Sequence, residues 1–260
     1  MPKVYSSTWQ PFALASIPAI LGLLLYYYVQ PNVATFYLFL IMAGFITGAM
    51  NPEAIGFTLR TYSKKGNIFQ KSFVSLVSVG ILVFFVSMVS VKLFQTTLLP
   101  SLPFASINAL LLPSADLLST LSQTIENAPV TSWLITNIKG SIVIYFIAFS
   151  EELAFRGPMF YWTTVYLDKT IGKKVGSIFA DFISNFIWSA LFAFFHLYRE
   201  FLTSGATVFV LNADKFYILL LLGLIWGFTR LLTNSIIPTI VAHFSWDFLA
   251  MNNILLYLWR

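Results

Sequence analysis

Residues 141–156 read SIVIYFIAFSEELAFR: a mostly apolar run that ends in Glu151, Glu152 and Arg156 before apolar residues resume. Placing Asp, Lys or Arg at the centre of a membrane helix costs roughly 2.5–3.5 kcal/mol. A chain that keeps three ionisable groups in one hydrophobic segment is therefore expected to use them. The structural alternative is a helix that ends at Ser150, leaving the three charges in water.

The surrounding chain favours the membrane. Its 260 residues are 58% hydrophobic, 18% aromatic and only 10% charged, and the mean hydropathy is +0.81. Soluble domains carry about 25% charged residues, so most of this surface is not made for water. The apolar residues come in long unbroken runs rather than the strict alternation of a membrane barrel. The expected fold is all-α, a polytopic membrane helix bundle of seven to eight transmembrane helices around an intramembrane polar cavity. There is no cysteine, which removes disulfides, thiolate metal sites and cysteine nucleophiles. The net charge of +5 is spread over several loops, which suits juxtamembrane anchoring and not nucleic-acid binding.

Working outward, spans are expected at about 11–29, 33–50, 72–94, from 132 through the charged hexad, within 176–198, within 216–232, and from 236 to about 258. Residues 51–70 are expected to form a loop or surface helix, and residues 168–174 a loop. Both are basic, and with Lys3 they place the amino terminus on the cytoplasmic side by the excess of Lys and Arg. Residues 96–131 carry Asp116 and Glu126 but no Lys or Arg, as suits the opposite face. Continuation of the fourth span through Arg156 towards Tyr166, with a kink at Gly157-Pro158, would hold Glu151 near mid-depth. No internal repeat or low-complexity linker divides the chain, so residues 1–260 are expected to form one integral membrane domain.

The chain has two histidines, His196 and His243, and both lie in apolar runs. Glu152 and Arg156 stand at i and i+4, so they share a helix face and can neutralise one another. Glu151 points about 100° away from that pair. Burial and a neighbouring protonated histidine act on its proton affinity in opposite senses, a setting that suits a general base. His243 and Asp247 are also at i and i+4, and Asp247 is expected to accept the imidazole N–H and so fix the ring. Together these groups supply a carboxylate base for water and histidines as electrophilic partners, a set suited to amide hydrolysis without a covalent intermediate. All of them are expected to face one water-filled cavity, with Glu151 within about 10–12 Å of each histidine.

The motifs Glu151-Glu152-x-x-x-Arg156, Phe192-x-x-x-His196 and His243-x-x-x-Asp247, in this order, resemble those of the CAAX-protease and bacteriocin-processing (ABI) family of intramembrane glutamic endopeptidases, which includes the prenyl-protein endopeptidases. The resemblance covers about residues 146–251, with Arg156-Gly157 and the helix through Gly223 and Gly227 as further likenesses. The first 130 residues match only as generic membrane helices, so 1–131 is read as a variable part and 132–260 as the catalytic core. The resemblance implies that Glu151 activates water and that His196 and His243 polarise the carbonyl or hold the water. It also implies that Glu152 and Arg156 position the site by contacting His243, and that the last motif residue helps bind the oxyanion. Eukaryotic members remove three residues after a prenylated cysteine; many prokaryotic members are assigned to peptide processing, self-immunity or scaffolding. One departure stands out: an asparagine donates a hydrogen bond to an oxyanion, whereas an ionised Asp247 does not.

The expected substrate is a membrane-bound peptide or protein, lipidated or plain, and the expected reading carries no cofactor. Two rivals remain open. A metal-dependent protease would use Glu151, His196 and His243 as ligands to a divalent ion, although no His-Glu-x-x-His occurs. A non-enzymatic scaffold or immunity protein would keep the same residues as a polar cluster that pins helices together. Trp162, Trp188, Trp226 and Trp246 are read as packing or interfacial anchors, and Asn185 as a wet or capping residue at a helix start.

Overall fold

The computed structural model describes Gly56, residues 60–62, 68–70, 72–100, 133–203 and 208–251. The expected spans at 11–29 and 33–50, and nearly all of 96–131, lie outside the described residues, as does the full helix count. Apart from one short hairpin pairing, every regular element described is helical.

In hydrocarbon each backbone N–H and C=O must be satisfied within its own segment, so long apolar runs become helices. Here they are α1 (Phe73–Leu98), α2 (Trp133–Arg156), α3 (Pro158–Leu167), α4 (Ser177–Thr203), α5 (Ala213–Thr233) and α6 (Ile237–Met251). Phe73–Leu98, Ser177–Tyr198 and Ala213–Thr233 are long and apolar enough to cross a membrane. The chain is an integral membrane protein.

Two expectations are corrected. Within 51–70 the strands β1 (Arg60–Tyr62) and β2 (Ile68–Gln70) pair antiparallel, with Thr61 opposite Phe69, so this polar stretch contains a small ladder. Residues 168–174 do not form a loop. The chain stays helical beyond α3 through a wide π-type turn, Asp168–Gly172, and a further turn, Lys173–Val175. It is released only at Gly176, whose φ of 97° is open to glycine at little cost. The expected break at Gly157-Pro158 is present: Gly157 leaves helical geometry, and Pro158 opens α3 at its first position, where its missing N–H costs nothing.

Helix α1 shows how the bundle is assembled. Leu76, Gly80, Phe84, Ser87 and Val91 recur every three or four residues and form its buried stripe. Val74, Leu82, Phe85 and Val89, on the other faces, are exposed as a lipid-facing surface would be. Along that stripe α1 packs on α6 and α5. At Gly80 the helices touch backbone to side chain: a Cβ there would stand 2.6 Å from Val241 Cβ and 2.8 Å from the Pro238 carbonyl oxygen. Helix α6 also packs on α2, while α4 packs on α5 and α3. Of the motif-bearing helices, α4 and α6 both pack on α5, and α2 joins them through α6 and α4.

Asn185 is a further correction. It lies inside α4, fully buried, and its Nδ2 donates to the Leu224 carbonyl of α5 at 3.0 Å. Ser189 Oγ donates to its Oδ1 at 3.2 Å. A side chain at Gly227 would overlap that same Oδ1. Asn185 is thus polar glue between two close-packed helices, the role small and amide residues take where water is absent.

Candidate active site

Three helices bring the motif residues together. Glu151 and Glu152 come from α2, His196 from α4, and His243 and Asp247 from α6. The Glu151 Oε2 atom lies 3.2 Å from His196 Nε2 and 3.5 Å from His243 Nε2, well inside the expected limit. Glu151 lies close to the carboxyl end of α2, with α3 and two more helical turns before α4 begins. His196 can therefore sit some twenty residues into α4 and still meet it.

Each imidazole is held by its other nitrogen. His196 Nδ1 donates to the Phe192 carbonyl, one turn earlier in α4, at 2.9 Å. His243 Nδ1 donates to Glu152 Oε1 at 3.0 Å. A carbonyl or carboxylate oxygen can only accept, so both Nδ1 atoms carry hydrogen and both Nε2 atoms face Glu151. A neutral ring presents a lone pair there and a protonated ring an N–H. With two Nε2 atoms around one carboxylate oxygen, the arrangement is built to share a proton.

The bond that orients His243 comes from Glu152 and not from Asp247. Asp247 Oδ2 stands 3.5 Å from His243 Nε2, on the side that faces Glu151. The i,i+4 spacing correctly placed Asp247 near the ring. Which ring nitrogen it meets depends on the χ angles of His243, and those are set by Glu152 across the helix interface.

Glu152 is shared. Its Oε1 also accepts from Arg156 Nη1 at 2.9 Å, the i,i+4 pair read from the sequence. Arg156 reaches towards α5 as well, with Nη2 3.5 Å from the Gly223 carbonyl. Its Cζ lies over the rings of Phe192 and Trp226, at 4.2 and 5.5 Å from their centroids. Phe192 packs edge-on against Phe155 and Trp226 and lies 4.2 Å from the His196 ring, between centroids. The site is closed: Glu151, Glu152, His243 and Asp247 are fully buried, and Arg156 and His196 are 1% and 2% exposed.

Trp226 is the participant that sequence reasoning missed. Its ring lies against that of His243 at 4.6 Å and 32°, and its Nε1 donates to Ser87 Oγ of α1 at 3.1 Å. Nothing local marks it, because a tryptophan in an apolar run reads as packing.

Glu151, His196 and His243 each offer a ligand atom, all within 4.8 Å of one another. The Glu151 spacings of 3.2 and 3.5 Å suit ligands about 2.0–2.2 Å from a common zinc ion. Residues 132–249 match the family described as Rce1-like, type II CAAX prenyl endopeptidase Rce1-like. This segment is similar to the Rce1-like family. The Rce1-like segment opens at the start of α2 and closes within α6, so it contains every motif residue, together with Trp226 and Arg230. Ser87 and Gly56 lie outside it. Comparison with curated proteins and with solved structures finds no match to either.

Proposed function

We propose that this protein is an intramembrane endopeptidase of the CAAX prenyl type, acting on a membrane-associated peptide or protein with Glu151 as general base. The observation that carries this reading is the approach of Glu151 Oε2 to both His196 Nε2 and His243 Nε2, from three separate helices. The Rce1-like match supports the substrate class.

In this reading water takes the space between Glu151 and the histidines when substrate enters. Glu151 accepts a proton as the water oxygen attacks the scissile carbonyl carbon. Protonated Nε2 atoms of His196 and His243 are the donors that face the developing oxyanion. Collapse of the tetrahedral intermediate breaks the C–N bond, and the proton taken by Glu151 passes to the departing amine. The products are a carboxylic acid and an amine, and one water is consumed. Glu152 and Arg156 touch no reacting atom. They hold His243 so that Nε2 faces Glu151, and their mutual neutralisation makes that placement tolerable in a low-dielectric interior. Asp247 lies beside His243 Nε2 and acts on the charge of that ring.

A second reading keeps the hydrolysis but adds a divalent ion, held by Glu151, His196 and His243. The spacing of their ligand atoms favours it, as does the anchoring of both Nδ1 atoms on acceptors, the usual support for a metal-ligating histidine. Such an ion would polarise water or carbonyl.

The test is turnover by purified protein in lipid nanodiscs on farnesylated and plain peptides, with and without exhaustive chelation. Cleavage that vanishes in Glu151→Gln and His243→Ala and survives chelation is the expected result. Loss of wild-type activity on chelation, restored by added zinc, selects the metal reading. Undiminished cleavage by Glu151→Gln overturns the role of Glu151.

A further inference from the structure

Arg230, near the end of α5, is a buried cation that the motifs and the reaction leave unused. It is 3% exposed. A charge kept at such burial is costly, so the fold is expected to depend on it. Its hydrogen bonds say where that dependence lies. Nε donates to the main-chain carbonyl of Arg156 at 3.0 Å, and Nη1 donates to Asn234 Oδ1 at 2.7 Å.

Both acceptors stand at ends of elements that carry the site. Arg156 is the last residue of α2. The final four carbonyls of a helix have no partner within it, so α5 supplies through Arg230 what α2 lacks. A guanidinium there also complements the negative end of the helix dipole. Asn234 closes α5 in the left-handed conformation, with φ 48°, and α6 starts three residues later, at Ile237. One planar fork therefore joins the end of the helix that bears Glu151 and Glu152 to the turn before the helix that bears His243 and Asp247. The same two helices pack together through Leu153, Ile236 and Ile240. Gly56 lies against the guanidinium, where an added Cβ would stand 3.0 Å from Cζ, and its carbonyl accepts from Ile236 N of the turn at 3.2 Å.

These contacts form a closed path. From Arg230 it runs through the Arg156 main chain to the Arg156 side chain, whose Nη1 donates to Glu152 Oε1 at 2.9 Å. Glu152 Oε1 also accepts from His243 Nδ1 at 3.0 Å. Helix α6 leads from His243 back to its own start, and Asn234 closes the path on Arg230. Helix α2 is thus held at two levels, Glu152 and the Arg156 carbonyl, four residues or about 6 Å apart along its axis. One attachment would leave α2 free to tilt about it, whereas two fix both tilt and register. What depends on that register is the 3.5 Å approach of Glu151 Oε2 to His243 Nε2. His196 lies outside the path, because its Nδ1 is held within α4 by the Phe192 carbonyl.

We propose that Arg230 is a positioning residue: its guanidinium locks the end of α2 to the α5–α6 turn and so holds His243 in the orientation the site needs. It touches no reacting atom. The proposal deepens the endopeptidase reading and rests on it for the effect on turnover alone. The fork matters as well as the charge, because a lysine offers a point charge and cannot hold two acceptors in one plane.

The test exploits the fact that His196 and His243 are the only two histidines in the chain. Solid-state NMR of the full-length protein in lipid bilayers, isotope-labelled at the histidine nitrogens and assigned through His196→Gln, reads each ring without turnover. Arg230→Gln is expected to weaken the Nδ1 hydrogen bond of His243, moving its signal towards that of a free imidazole, and to leave the His196 signal in place. Asn234→Gly is expected to do the same to a smaller extent. It deletes only the acceptor, since glycine takes the left-handed φ readily, and so it serves where Arg230→Gln fails to fold. Arg230→Lys is expected to restore little. In turnover of a farnesylated peptide, kcat of Arg230→Gln should fall about tenfold or more with KM within about twofold, because a misplacement of about 1 Å can cost about 10²-fold. A His243 signal unmoved in both Arg230→Gln and Asn234→Gly overturns the proposal. So does equal movement of both histidine signals, which is what general loosening of the bundle produces, and so does full rescue by Arg230→Lys or full kcat in a variant whose His243 has moved. Movement of His243 alone, in a protein whose unmutated form cleaves nothing, overturns the endopeptidase reading and leaves the lock on His243 standing.

Discussion

Trp226 donates its indole N–H to Ser87 Oγ at 3.1 Å, a hydrogen bond across 139 residues. It ties α1, outside the Rce1-like segment, to the ring that backs His243. Ser87 Oγ donates its own hydrogen bond to the Val83 carbonyl at 2.8 Å, which leaves its lone pairs for the indole. The tryptophan face is thereby fixed against the imidazole, where a protonated ring gains from the aromatic quadrupole.

Ser87→Ala is expected to lower kcat by about fivefold with KM little changed, since a buried indole N–H left unsatisfied costs about 1–3 kcal/mol and loosens the ring. Trp226→Phe keeps an aromatic face without needing Ser87, so the double variant Ser87→Ala/Trp226→Phe should be no slower than Trp226→Phe alone. Steady-state kinetics on the four proteins checks this, and additive losses would separate Ser87 from the site.

Glu151→Gln is nearly isosteric, so the protein should fold and insert as before. Loss of a general base typically costs 10²–10⁴-fold in rate, and kcat is expected to fall by about that much. Thermal unfolding in detergent should leave Tm within about 3 °C of the parent, on the footing that the carboxamide removes a buried charge and keeps the shape.

Arg156→Met leaves Glu152 as a buried charge without its guanidinium, 2.9 Å away in the parent. Breaking a buried pair from one side costs about 3–5 kcal/mol, and the variant is expected to be strongly destabilised. Glu152→Gln/Arg156→Met removes both charges and should recover most of that stability. It should not recover activity, because His243 Nδ1 then loses the carboxylate that orients it. Tm and kcat measured together would show the split, and joint recovery would refute the positioning role.

Gly80→Ala is expected to push α1 from α6, because the added carbon meets Val241 Cβ and the Pro238 carbonyl oxygen at 2.6 and 2.8 Å. Overpacking of this kind costs about 1–3 kcal/mol. Gly80→Ala/Val241→Ala removes one of the two clashes and should restore part of the loss in Tm. Full tolerance of the single variant would mean that the helices are not in close contact there.

Local chemistry decided by itself the parts of this protein that neighbours in sequence can express. The unbroken apolar runs at about 72–94, within 176–198 and within 216–232 specify membrane helices, because hydrocarbon permits little else, and the helices Phe73–Leu98, Ser177–Thr203 and Ala213–Thr233 include nearly all of these runs. The Glu152–Arg156 pair and the nearness of Asp247 to His243 follow from the four-residue spacing that any helix imposes. The break at Gly157-Pro158 was equally legible. Only the tertiary structure decided the remainder. Glu152 rather than Asp247 orients His243, Asn185 binds α4 to α5 instead of facing water, Trp226 backs the imidazole on the strength of Ser87, and Arg230 reaches the Arg156 carbonyl. Each of these contacts joins helices far apart in the chain. Their partners are set by how ridges, glycines and side-chain rotamers of different helices fit together, which no single helix encodes in its own periodicity.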